Sequence, residues 1–165
     1  MISLPMSEMV GLIEEVISDN GEFRLYPKGT SMLPLIRQGK DSVILVQPSL
    51  LSIGDIILYK RENGQFVLHR IVKTKKDEYI LCGDNQTQLE YGIKESQVIA
   101  KVKAVYIDEI RYEGVLGNKG NFYLKKLWFK RKFKPTYVRL KRVIKNPSLI
   151  WRKLKKWKIL NLPHL

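Results

Sequence analysis

Ser31 stands in "GTSMLP", a Gly-Thr-Ser turn between the apolar and basic stretch "FRLYPK" and the apolar run "DSVILVQ". A serine in such a turn ordinarily bonds its own backbone. It becomes a nucleophile only where a neighbouring base takes its proton. The sequence offers two histidines. His69 lies in "QFVLHRIV", where strand alternation would put Val67, His69 and Ile71 on one face and Leu68, Arg70 and Val72 on the other. It is either a half-buried strand residue or a general base whose ordinary pKa of about 6.5 suits neutral pH. His164, beside Pro163 near the end of the sequence, reads as solvated and idle. In "LCGDNQTQLEYG", Asp84 would ordinarily form a tight turn and Glu90 a surface charge. Either carboxylate could instead orient the second nitrogen of His69 and stabilise the imidazolium, which would complete a set for acyl transfer.

The elements that would carry these groups are mostly strands. Residues 1–21 hold one amphipathic helix, in which Met9, Leu12, Ile13, Val16 and Ile17 recur at helical spacing after Ser7 and which ends near Asn20-Gly21. From Phe23 to about Tyr112, short β-branched and aromatic runs are separated by Gly, Asn and Asp: "FRLYPK", "DSVILVQ", "DIILYKR", "QFVLHRIVK", "EYILCG", "SQVIAKVKAVYI" and "EIRY". Asn63-Gly64 in "RENGQ" signals a hairpin, and "KTKKDEY" makes a second polar turn. Strands at this spacing with no helices between them predict a mainly β, curled antiparallel domain over residues 22–117. After the Gly- and Asn-rich "EGVLGNKGN", residues 118–165 change character, and Pro135 and Pro147 divide them into three helical pieces with apolar stripes among cations.

Charge follows the same division. Of the 165 residues, 1–117 carry 14 Lys/Arg against all 16 Asp/Glu, a net of −2, while 118–165 carry 16 Lys/Arg and no acid. The formal net charge of +14 thus belongs to the tail. Trp128, Trp151 and Trp157 with Lys130, Arg131, Lys155 and Lys156 have the composition of helices lying in an anionic membrane interface. The bland reading is that the stripes pack on the β domain and the charges are solvated. Basic and aromatic residues also serve nucleic acid, but no nucleic-acid motif accompanies them, which ranks that partner behind a membrane surface. The single cysteine, Cys82, has no intramolecular disulfide partner, and no Cys/His cluster has zinc-ligand spacing, so no metal or cofactor is implied. The N-terminal stretch lacks a basic region and is broken by Pro5, Glu8, Glu14 and Glu15, unlike a signal peptide or a membrane span. A cytoplasmic protein, peripheral at the inner membrane face through its tail, is the expectation.

Over roughly residues 23–105 the chain resembles the type I signal peptidases and, more distantly, the self-cleaving SOS-repressor peptidases. "GTSMLPLI" is similar to their nucleophile box, "GDIILYK" to the following Gly-Asp box, "LHRIV" to the base box and "CGDNQ" to the Gly-Asp-Asn box, in family order. The resemblance implies Ser31 as nucleophile, with Met32 and Pro34 as packing and turn residues behind it. His69, before Arg70, occupies the position where most bacterial members have lysine, as in the archaeal and endoplasmic-reticulum branch with its Ser-His pair. Asp84 matches the Asp of the last box, and Glu90 stands where that branch has a further Asp, which leaves two candidates for the orienting acid. Many members carry a hydroxyl two residues before the nucleophile; here that residue is Gly29. The backbone N–H of Ser31 would then be the main oxyanion donor, with Thr30 as a second.

The resemblance therefore implies a serine endopeptidase acting on extended leader, signal or pro-peptide segments with small residues before the cut. An imidazole base implies activity that falls as pH drops below about 6.5. Membrane signal peptidases begin with a transmembrane anchor that this sequence lacks, so a cytoplasmic substrate is expected. A self-cleaving repressor would need a DNA-binding domain before the serine, and only 30 residues precede it. The remaining alternative is a binding module with the peptidase fold but no catalysis, acting through its basic tail.

Overall fold

The computed structural model describes residues 5–113. The basic tail expected over 118–165, with Trp128, Lys130, Arg131, Trp151, Lys155, Lys156 and Trp157, lies outside the described residues.

Helix α1, Met6–Ser18, follows Pro5, whose carbonyl accepts the N–H groups of Glu8 and Met9 at 3.1 Å. It ends where Asn20 takes φ +58° and the Gly21 N–H returns to the Val16 carbonyl at 3.0 Å. Its inward face is narrower than the apolar pattern predicts. Val10, Ile13 and Ile17 are buried, whereas Leu12 and Val16 are exposed, because they lie about 100° round the helix from Ile13 and Ile17.

Eight strands follow: β1 Phe23–Leu25, β2 Ser42–Val46, β3 Ile56–Lys60, β4 Phe66–Lys75, β5 Glu78–Cys82, β6 Glu90–Lys94, β7 Val98–Ile107 and β8 Ile110–Glu113. They form one antiparallel sheet in the order β1-β2-β7-β3-β4-β5-β6, with β8 also on β7. Ladder shifts at Ile44/Leu45, Leu58/Tyr59, Ile71/Lys73 and Tyr79/Leu81 add twist and bend to the sheet. The Asn63-Gly64 signal produces the β3–β4 hairpin, closed by Arg61 N–H to the Gln65 carbonyl at 2.8 Å, with Gly64 at φ +84°. This is the longer hairpin loop with a left-handed residue after the turn.

Runs such as "IILY" in β3 are buried throughout because both faces of the sheet are covered. On one face Ile56, Leu58, Leu68 and Val102 pack with Ile13 and Ile17 of α1 and with Met32, Leu35 and Ile36 from the serine turn. On the other, Ile57, Tyr59, Ile71, Leu81 and Ile93 form a second core. Each fully buried side chain of this size contributes roughly 1.5–3 kcal/mol. The serine turn is thus bolted to the first core while the His69 face of β4 looks into the second. No helix among the described residues is long and apolar enough to cross a membrane.

Candidate active site

Strand β4 holds His69 between β3 and β5, opposite Ile57 and two residues from Val67, the partner of Tyr59. His69 is 1% exposed. Its Nδ1 lies 3.0 Å from Oε1 of Glu90 and 3.4 Å from the Tyr59 hydroxyl. Tyr59 donates to Oε2 of Glu90 at 2.6 Å, and the Arg61 guanidinium grips both oxygens of the same carboxylate, its Nε donating to Oε2 at 2.9 Å. Glu90 reaches this spot because β6 pairs with β5 at Leu81↔Glu90, while Leu81 pairs with Ile71 of β4. A carboxylate can only accept, so Nδ1 of the neutral imidazole carries its hydrogen toward Glu90 and Nε2 keeps its lone pair.

Electrostatics follow from burial and from this cluster. Burial pushes the His69 imidazole below its ordinary value; Glu90 opposes that shift and Arg61 adds to it. Burial would raise the Glu90 carboxyl, but the bonds from Arg61 and Tyr59 outweigh it and hold the group below its ordinary value. Burial, then the bond to Glu90, keeps the Tyr59 phenol well above its ordinary value, so it acts as a neutral donor.

Asp84 is placed differently. It is fully buried, and Arg70 binds it through two parallel bonds, Nε to Oδ1 at 2.8 Å and Nη2 to Oδ2 at 2.7 Å. Arg70 also donates to the Gly54 carbonyl at 2.6 Å. Arg70 and His69 are consecutive on β4 and so project to opposite faces, which directs Asp84 away from Nδ1. Of the two candidate acids, Glu90 is therefore the one at the imidazole. The Asp84–Arg70 pair instead fixes the Gly83-Asp84-Asn85 turn, and that turn clasps the serine loop. Asn85 donates its N–H to the Ser31 carbonyl at 2.7 Å and its side-chain amide to the Thr30 carbonyl at 3.2 Å.

Ser31 is half-buried and shares the wall of a cleft of about 230 Å³ with His69, Arg61 and Gln86. Gly83 brings the two halves close. A Cβ there would stand 2.8 Å from the Ser31 carbonyl oxygen, 3.0 Å from Nε2 of His69 and 3.1 Å from Oε1 of Gln86. Among the described residues, the Ser31 hydroxyl makes no hydrogen bond to Nε2, and the Ser31 N–H has no acceptor. Gly29, at φ +98°, gives its N–H to Oε1 of Gln38 at 2.7 Å, so it is spent on holding the loop. Thr30 is exposed; Met32 is buried behind the serine, and Pro34 follows a cis peptide at the surface.

The structure thus brings Ser31, His69 and Glu90 into one neighbourhood, with Asp84 and Arg70 beneath it. The sequence reading gives no role to Tyr59 and Arg61, whose contacts depend on strand register, and it covers Gly83, Asn85 and Gln86 only as part of the "CGDNQ" box. A larger concavity of about 600 Å³ lies at the β4–β5 turn, between Lys75 and Glu95, away from these groups and without a histidine. Among the described residues no cluster of three or more His, Cys, Asp or Glu side chains is placed to hold a metal ion. No family model, curated protein or solved structure matches the chain.

Proposed function

We propose that this chain is a serine endopeptidase of the signal peptidase type, with Ser31 as nucleophile, His69 as general base and Glu90 as the acid that orients it. The observation that carries the reading is that Ser31 and His69 line one cleft while Glu90 backs Nδ1 at 3.0 Å. In the reaction, Nε2 takes the Ser31 hydroxyl proton as Oγ attacks the scissile carbonyl carbon. The tetrahedral oxyanion meets the Ser31 N–H, a donor typically worth roughly 3 kcal/mol at the transition state. Collapse breaks the C–N bond, and the proton on Nε2 passes to the departing amine. Water then cleaves the Ser31 ester by the same proton route. The serine-to-imidazole bond closes in the substrate complex, as catalytic hydrogen bonds commonly do.

The substrates that this reading implies are leader or pro-peptide segments that carry small residues before the cut. Labelling with a fluorophosphonate tests the nucleophile. Wild-type protein should be labelled at Ser31 and Ser31→Ala should not; labelling of both to the same extent would sink the assignment.

A further inference from the structure

We infer that Gln86 orients the water that hydrolyses the acyl-enzyme, an assignment that rests on the serine-peptidase reading. Its Oε1 and Nε2 of His69 both abut the α-carbon of Gly83, where an added Cβ would meet them at 3.1 and 3.0 Å, so the two acceptors lie on the same side of the site. Gln86 also lines the cleft with Ser31. Its backbone is fixed: the Gln86 N–H donates to the Gly83 carbonyl at 2.9 Å, and the Cys82 thiol points to the Gln86 carbonyl at 3.6 Å. The side-chain amide has no hydrogen-bond partner among the described residues. The polypeptide therefore holds this residue in place at its main chain and leaves its amide in the cleft that Ser31 and His69 line.

The chemistry matches two acceptors that line one cleft with the serine. During acylation the Ser31 hydroxyl brings a single hydrogen, and Nε2 takes it. Once Ser31 is an ester that hydrogen is gone, and the next nucleophile must be water, which carries two. One hydrogen goes to Nε2 and the other bonds Oε1 of Gln86, which aims the water oxygen at the ester carbonyl carbon. The water O–H breaks, the new C–O bond forms, and the Oγ–C bond then breaks as Nε2 returns the proton to Ser31 Oγ. Gln86 thus serves the second half-reaction and leaves the first largely untouched.

Burst kinetics with p-nitrophenyl acetate separate the two halves. Wild type should release a burst of nitrophenol and then turn over steadily. Gln86→Met, similar in size but unable to accept well, should keep the burst while the steady phase falls about 10- to 100-fold and an acetyl adduct accumulates on Ser31. The retained burst shows that the variant is folded. A wild-type burst with an unchanged steady phase in Gln86→Met, or with burst and steady phase falling together, would overturn the assignment alone. A wild type with neither burst nor adduct would overturn the peptidase reading and this assignment with it.

Discussion

Glu90 and His69, 21 positions apart in sequence, meet with Oε1 3.0 Å from Nδ1, and the same carboxylate is held from behind by Tyr59 and Arg61. An amide in place of that carboxylate keeps the shape but can present a donor to Nδ1 and favour the wrong tautomer. Glu90→Gln should therefore lower kcat by about 10²- to 10⁴-fold with little change in KM. Unchanged kcat in a folded variant would remove Glu90 from the base assembly.

Asp84 should behave in the opposite way. It is fully buried on a fully engaged arginine, so Asp84→Asn leaves Arg70 as a buried charge lacking its counter-ion and should cost about 3–5 kcal/mol of stability. Urea denaturation measures this as a lower midpoint. An unshifted midpoint together with lost turnover would instead place Asp84 in the chemistry.

The base must be neutral, and burial sets the His69 pKa below its ordinary 6.5, so the acid limb of kcat/KM should have its midpoint below pH 6.5. Arg61 opposes protonation of the ring; Arg61→Met should move that limb upward. A wild-type midpoint at or above 6.5, or a downward move in the variant, would contradict the account. Stability follows the same group. The unfolded chain binds this proton more tightly, so the His69 contribution is complete above about pH 6.5 and is lost as pH falls through the folded value. Glu90, also depressed, contributes above its ordinary 4.5 and loses that contribution on further acidification.

Most of the sheet was legible because its strands are dense in β-branched and aromatic residues, as in "SVILV" and "FVLHRIV". Strand β6 was not. "EYGIK" carries two charges and Gly92 at φ +73°, which hide a pairing that the β5 edge supplies. Without β6, Glu90 could be placed no better than Asp84. Tyr59 and Arg61 were equally hidden, since sequence showed a strand and its polar end but not which cross-strand neighbour each would reach. The candidate nucleophile and base, by contrast, were visible as residue types in their turn and strand.

Gly83 stands where the serine loop and the imidazole leave no room for a side chain. Gly83→Ala would drive a methyl group against the Ser31 carbonyl, a backbone atom, and against Nε2. The serine loop and the imidazole must separate, at a stability cost of about 1–3 kcal/mol, and turnover should fall at least 100-fold in the folded fraction. Full activity in that variant would show that this spacing is not critical.

The most direct test is mass spectrometry of a diverse peptide library after incubation with wild-type protein and, in parallel, with Ser31→Ala. Peptide cuts that appear with the wild type and vanish in the variant, clustered after small residues, are the predicted result. Identical digests from the two proteins would contradict a Ser31 peptidase.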